Sequence, residues 1–323
     1  MKLLVTGGAG YIGSVVTSQL LDAGHEVTVL DDLSTGHRDA IPDGASFIRA
    51  RIHDSGSHLR GQGFEAVLHF AAKSLVGESV TAPQLYWENN VAGTFALLEA
   101  MRAAHIPTVI FSSTAATYGE PDDSPITEQT PTRPVNAYGA SKLAVDHMLS
   151  SYCRAHGLAA TSLRYFNVGG ARGRFGERHS PETHLIPNLL AVAAGRTDAC
   201  SIFGTDYATS DGTALRDYLH VADLGRAHLL ALGPSTAGIH RIVNLGTGDG
   251  YTVRQVLEAC RTVTGHPIPA REEPRRPGDP TSLVASNLVA RDLLEWEPEL
   301  GLERIVADAW DFMRRDEGAT TVR

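Results

Sequence analysis

Cysteine is scarce in this sequence: Cys153, Cys200 and Cys260 are the only three among 323 residues. Their number is odd and no two stand in a C-x-x-C spacing, which argues against a disulfide framework and against a zinc knuckle. A reducing cytoplasm is the expected compartment. No run approaches the ~20 apolar residues that span a bilayer, so no membrane segment is expected. The opening MKLLVTGG passes from a strand into a glycine turn without the basic head, apolar stretch and small-residue cleavage site of a signal peptide. No secretion signal is expected. Positive charge is also in deficit, with 28 Lys and Arg against 37 Asp and Glu and a formal net charge of -9. That field repels phosphodiester backbones, and with no basic patch to offset it no nucleic-acid partner is expected. A single nucleotide ligand stays compatible, since a few placed arginines suffice. Internal repeats and low-complexity tracts are absent as well.

What is present reads as a globular α/β chain. Hydrophobic residues at 42% and charged residues at 20% are ordinary. The length exceeds one average domain, which suggests a core of roughly 150 residues and a smaller second lobe. Apolar runs of strand length at residues 3–6, 26–30, 66–70, 108–112 and 160–165 alternate with helical stretches. Alternation of this kind gives a parallel sheet buried on both faces, a Rossmann-type doubly wound layer. Helix breakers and charges thicken after Asn167, in GGARGRFGERHSPETH and REEPRRPGDP, as expected of a lobe made of loops and short elements. RIVNLG near Asn244 reads as another strand. The first domain is therefore expected at 1–168 with a return of the chain at about 217–246, and the second lobe at 169–323.

After the first strand comes TGGAGYIG, with Gly7, Gly10 and Gly13 in a G-x-x-G-x-x-G spacing that opens a helix. Glycine serves the tight turn, the close approach of backbone to a pyrophosphate, and the packing of helix on strand. A bare glycine pattern is weak evidence. Here a strand precedes it, an amphipathic helix follows (Val15, Val16, Leu20, Leu21), and a second strand ends at Asp31, about 20 residues on. A carboxylate there accepts from the adenosine ribose and repels a 2′-phosphate, favouring NAD over NADP; Arg38 is the one nearby group that could meet such a phosphate.

Tyr138 and Lys142 stand four apart in NAYGASKLAVDHML, on one face of a helix. A phenol with an ordinary pKa near 10 is a poor base at neutral pH. An ammonium and the positive nicotinamide ring close by would favour its phenolate. Tyr138 would then exchange a proton with a substrate hydroxyl while hydride moves. Thr114, in FSSTAATYG, ends the strand at which switch-point ligands sit, and its hydroxyl could hydrogen-bond the reacting oxygen. Intact Thr114, Tyr138 and Lys142 argue against a non-catalytic sensor. His179, His184 and His220 offer no helical i, i+4 pair with a carboxylate, so no metal is expected and they read as polar lining or packing. Trp87, Trp296 and Trp310 read as helix packing.

Together these features resemble the extended short-chain dehydrogenase/reductase family, and the remaining motifs look like those of its UDP-hexose 4-epimerases. LDDLSTG, VLHFAAKSLVGESV, YWENNVAGT, YGASK, LRYFNVGGA, IFGTDY, DGTALRDYLHVADL, NLGTG and RRPGDP follow in order over nearly the whole chain. The resemblance implies that NAD is held by Gly7, Gly10, Tyr11, Ile12, Gly13, Asp31, Asp32, Ser34, Thr35, Gly36, Ile52, Phe70, Ala71, Ala72, Lys73, Asn89, Ser112, Ser113 and Tyr165, with Tyr138 and Lys142. Thr114, Tyr138 and Lys142 would be the catalytic set. The UDP-sugar would be held by Ser74, Thr114, Tyr138, Phe166, Asn167, His184, Leu185, Arg216, Arg276, Asp279 and Leu283; arginine forks suit phosphate oxygens. The implied reaction interconverts UDP-glucose and UDP-galactose through a 4-keto sugar, on a tightly held cofactor. A homodimer through helices at 89–104 and 138–154 is implied too, where the sequence itself shows only apolar faces.

Related 4,6-dehydratases place an acid pair after the threonine, whereas here Ala115 and Ala116 follow it, which puts dehydration below epimerisation. The sequence departs from the family pattern three times. FIRARIHD presents Arg51, with Asp54 three residues on, where an aspartate usually holds adenine. Lys73 stands one place before the usual lysine position, which Ser74 takes. Leu283 takes the place of a residue that limits room beside the sugar: tyrosine there would exclude an N-acetyl group, cysteine or serine would admit it, and leucine is intermediate.

Overall fold

The computed structural model of the chain describes residues 1–276 and 278–320, with side chains through 315. Its centre is a seven-stranded parallel sheet of β1 (Lys2–Thr6), β2 (Glu26–Asp31), β3 (Ser46–Arg49), β4 (Ala66–His69), β5 (Thr108–Thr114), β6 (Ala159–Tyr165) and the strand His240–Leu245. The spatial order is His240–Leu245, β6, β5, β4, β1, β2, β3. All five apolar runs read from the sequence are strands. β3 is the half-buried, polar-rich edge strand SFIR, lying in the segment that carries FIRARIHD. Its alternate apolar residues are too few for an unaided pattern to show.

Both faces of the sheet are dry, which explains why its strands are continuously apolar. Leu3, Val5, Leu68, Ile110, Leu163 and Val243 face one core, together with Val16, Leu20, Leu224 and Trp296. Leu4, Leu30, Val67, Val109 and Phe111 face the other, with Leu97, Val145 and Leu149. The strand–helix–strand connections leave a crevice beyond the carboxyl ends of β1, β4 and β5, where ligands sit in open parallel sheets.

The chain does return to this sheet. Helix Val221–Leu230 lies along helix Tyr11–Asp22, with Gln19 Nε2 donating to Ala222 O at 3.0 Å. Strand His240–Leu245 then pairs with β6. Leu294 and Trp296 join the same core, and the indole donates to Asp223 O at 2.9 Å. A separate core lies among helices Leu185–Ala193, Val253–Thr264 and Leu302–Thr320. The lobe around it carries only short sheets: Asn167–Gly169 with Tyr218–His220, Cys200–Phe203 with Ala270–Glu273, and a three-stranded patch of Leu215–Arg216, Tyr251–Thr252 and Ser282–Leu283. Among the described residues no helix is long and apolar enough to cross a membrane.

Candidate active site

The turn after β1 is backbone pressed on backbone. Gly7 takes φ 74°, and a Cβ there would stand 2.5 Å from Ala71 N; a Cβ on Gly13 would run into Gly7 O. Only glycine fits either place. The turn therefore closes on the start of helix Tyr11–Asp22, where free amides and the helix dipole favour a pyrophosphate. Gly10 N–H donates to Gly7 O at 3.2 Å and the Tyr11 hydroxyl to Gly170 O at 2.7 Å.

Asp31 ends β2 inside the fold, accepting from Ala9 N–H at 3.0 Å and Leu33 N–H at 2.8 Å. Burial pushes its carboxyl above the usual range, and the two amides pull it back. Each oxygen keeps a second lone pair for a ribose hydroxyl. Arg38 is spread over the Phe47 ring, 4.2 Å from its centre. Asp32 accepts from Ser34 N–H at 2.8 Å and so shapes the loop carrying Ser34, Thr35 and Gly36. Ile52 is buried, its side chain where a Cβ on Gly93 would go. Arg51 makes an exposed ion pair with Glu88 at 3.3 Å.

Beyond β4, Phe70 and Ala71 border the cradle, the Phe70 ring 4.8 Å from that of His228. Lys73 is gripped by its backbone: Asn90 Oδ1 accepts from its N–H at 2.8 Å and Asn90 Nδ2 donates to its carbonyl at 3.0 Å and to Ser141 Oγ at 3.0 Å. Asn89 in turn donates to Asn90 Oδ1 at 3.1 Å. Sequence reasoning chose Asn89 and missed Asn90; the doubled asparagine of WENNVAG was the available signal. The Lys73 ammonium lies 3.8 Å from Glu78, and Ser74 is exposed.

Thr114 closes β5, and Tyr138 and Lys142 occupy the first turns of helix Ala137–His156, which Asn136 caps by accepting from Gly139 N–H at 2.9 Å. A Cβ on Gly139 would strike Ala116 O, so glycine lets this helix press onto the turn after β5. The Thr114 oxygen accepts from Ala116 N–H at 3.1 Å, and the same hydroxyl is close enough to the Tyr138 phenol to hold its shift down. Lys142 is buried, donates to Ser112 O at 2.9 Å and faces the Phe111 ring at 4.8 Å. Burial lowers its ammonium to about 7, resisted by Asp146 one turn on. Asp146 is itself held by Arg164 at 2.7 Å, both nearly inaccessible. Burial raises the Tyr138 phenol and the Thr114 hydroxyl opposes the rise. The phenolate expected beside Lys142 is thus less favoured in the protein alone, because the same burial lowers the lysine ammonium to about 7; the ring charge of the dinucleotide is the remaining contribution. Ser113 is buried behind, and the Ser112 and Tyr165 hydroxyls share a hydrogen bond.

On the opposite wall, Asn167 N–H and Nδ2 both donate to Asp217 O, at 3.0 and 3.1 Å. Arg216 forms an ion pair with Asp279 and lies in register with Leu283. Arg276 lies over the Phe203 ring, 3.8 Å from its centre. Phe166 and Leu283 share an apolar patch with Ala115, Tyr118 and Ile126. His184 donates from Nδ1 to Glu182 at 2.7 Å, and Leu185 begins the following helix. Two residues here escaped sequence reasoning. Phe203 lies in IFGTDY, and Asp217 follows Arg216: its carboxylate accepts from Thr247 N–H and hydroxyl at 2.7 Å, Gly248 N–H at 3.2 Å and Ala285 N–H at 3.1 Å, tying the NLGTG turn to Leu283's strand.

A Rossmann unit with a glycine cradle, a buried carboxylate at the end of the second strand and a Thr/Tyr/Lys cluster in the crevice defines a dinucleotide-binding enzyme of the alcohol-oxidising kind. The sequence matches the NAD dependent epimerase/dehydratase family over residues 3–246, and the chain belongs to that family. It is 57% identical over 314 residues to a UDP-glucose 4-epimerase of Corynebacterium glutamicum, covering 97% of this chain and 95% of the relative. It is 56% identical to one of Streptomyces lividans, covering 96% and 95%. Its fold superposes with a TM-score of 0.95 on the Stenotrophomonas maltophila UDP-glucose 4-epimerase with bound NAD and formylated UDP-arabinopyranose, at 36% identity over 99% of both chains.

Proposed function

We propose that the protein interconverts UDP-glucose and UDP-galactose, oxidising the sugar C4 hydroxyl to a ketone and reducing it again from the other face. The observation that carries this reading is the meeting of Thr114, Tyr138 and Lys142 beside the glycine cradle with only alanines, Ala115 and Ala116, after the threonine. Groups for alcohol oxidation converge there, and the position of a dehydrating acid is filled by methyls.

The cradle of Gly7, Gly10 and Gly13 and the Asp31 carboxylate fit NAD, since a Cβ on Gly10 would meet nothing nearer than Gly7 O at 3.4 Å and the turn leaves room there at the helix start for a pyrophosphate. When bound, NAD supplies the hydride acceptor and donor. Tyr138 takes the C4 hydroxyl proton and gives it back, Thr114 donates to the reacting oxygen, and Lys142 orients the pair. Asn167, Arg216 and Arg276 grip the uridine diphosphate, Asp279 holding the Arg216 fork in place. Tight anchoring there with loose contacts to the pyranose lets the 4-keto sugar turn over between two poses. Residues 1–168 with the return at 217–246 serve NAD, and 169–323 serve the nucleotide sugar. Incubation with UDP-galactose and no added NAD yields UDP-glucose; absence of product even with NAD supplied rejects the reading.

A second reading, a UDP-N-acetylhexosamine, UDP-pentose or UDP-uronate epimerase, is favoured by Leu283 on the apolar patch with Phe166. Ranking UDP-sugars by kcat/KM separates the two, and more than about tenfold preference for plain UDP-hexose, about 1.4 kcal/mol, excludes the second. Exposed Phe95, on the first of the two helical segments, supports a homodimer through the helices at 89–104 and 138–154, which light scattering checks. Free, buried Cys153, Cys200 and Cys260 accord with a reducing cytoplasm.

A further inference from the structure

The loop between strand Asn167–Gly169 and helix Leu185–Ala193 folds back on itself, and Glu177, His179 and His184 come together at its base. One ligand-type atom from each lies within 4.8 Å of the other two. The two imidazole rings are 5.6 Å apart, tilted by 33°. We propose that Glu177, His179 and His184 form a binding site for a divalent transition metal of the zinc class.

Two imidazoles and a carboxylate are a donor set that suits Zn2+, and also Co2+ and Ni2+ as substitutes. Support comes from the next layer of groups. His184 donates from Nδ1 to Glu182 Oε1 at 2.7 Å, and Glu182 Oε1 is itself fixed by the N–H groups of Thr183 and His184, each at 2.7 Å. A carboxylate that holds one ring nitrogen sets the tautomer and leaves Nε2 with its lone pair outward, the arrangement that backs metal-bound histidines. His179 Nδ1 lies 2.6 Å from Glu177 Oε1, so the carboxylate already holds this ring beside it, and a bound cation would take over that pairing. Glu177 Oε1 is held in that place by the His179 N–H at 2.9 Å.

The cluster lines a cavity of about 620 Å3 that Tyr11, Gly170 and Phe312 also border. Three protein ligands therefore leave the fourth position facing open space, where water or a ligand oxygen fits. An ion here bridges the loop and the start of helix Leu185–Ala193, so its role is to position His184 and Leu185 and not to touch the reacting sugar carbon.

The test uses full-length protein, stripped with a chelator and dialysed, then titrated with Zn2+ alone by calorimetry and with Co2+ by visible absorption. About one ion per chain is expected, with a Co2+ spectrum of tetrahedral intensity. Affinity falls about tenfold or more in His179→Ala and in Glu177→Gln, and about 10- to 100-fold in Glu182→Gln, which touches the ion only through His184. Circular dichroism confirms that each variant is folded. Wild-type binding no tighter than that of folded His179→Ala overturns the proposal; so does a wild-type Co2+ spectrum of fully hydrated ion, which needs no variant. Neither readout involves turnover, so failure here leaves the epimerase reading standing.

Discussion

The two walls of the crevice are made of different materials. The wall proposed for the dinucleotide is backbone: glycines at Gly7 and Gly13 that admit no Cβ, amides at a helix start, and two ionisable groups, Asp31 and Lys142, both pushed toward neutrality by burial. The wall proposed for the nucleotide sugar is side chains, with Arg216 on Asp279 and Arg276 on Phe203, mounted on loops and two-residue strands. Backbone recognition is rigid and little affected by salt, whereas partly exposed charged groups adapt and are screened. A protein that keeps one ligand while the other comes and goes is served by that division.

The sharpest way to break the comparison is Tyr138→Phe, which removes the proton carrier and leaves the cradle. Turnover should fall by about 10^2- to 10^4-fold while copurified NAD persists, measured by steady-state kinetics and by mass of the released cofactor. Near-normal turnover would show that the rigid wall carries the chemistry without its phenol.

Lys142 tests the dry wall through stability. In the unfolded chain it keeps its proton up to its ordinary value of 10.5, and in the fold only below about 7. Between those values unfolding takes up a proton. The destabilisation is therefore full below about pH 7 and is relieved as pH rises toward 10.5, by up to about 1.4 kcal/mol per pH unit. Urea denaturation of wild type and Lys142→Met across that window checks it, and parallel curves would refute the buried lysine with a lowered ammonium.

On the other wall, Arg276→Ala removes the charge we propose for a phosphate contact. KM for UDP-sugar should rise about 10- to 100-fold, in line with about 1.5–3 kcal/mol for a charged hydrogen bond, with NAD content unchanged and the gap to wild type narrowing in salt. The smallest effect is expected at Leu283. Serine there should improve kcat/KM for UDP-N-acetylhexosamine relative to UDP-hexose by about tenfold, near 1–3 kcal/mol for a change in pocket size, and tyrosine should do the reverse. Equal ratios in all three proteins would remove Leu283 from the specificity wall.

Legibility in the sequence follows the same division. The dinucleotide wall rests on features that are close in the chain, such as a glycine spacing, a strand end and an i, i+4 pair. Five of the seven sheet strands were visible as apolar runs because both faces are buried, and RIVNLG gave the sixth; β3 is half-exposed and gave no such run. On the second wall the arginines were legible only through resemblance. Asn90 gripping Lys73, and Asp217 tying 247–248 to 285, join residues from 17 to 68 positions apart, and nothing local signals them.

The sequence by itself determined the Rossmann sheet, the glycine cradle, Asp31 and the Tyr138/Lys142 face, because each depends on backbone geometry or helical period within about 30 residues. Tertiary structure alone decided that burial lowers the Lys142 ammonium, that Arg216 meets Asp279, and that Glu177, His179 and His184 converge. Those outcomes depend on burial and on which distant segments share a wall, and desolvation and long-range contact leave no periodic trace in the chain.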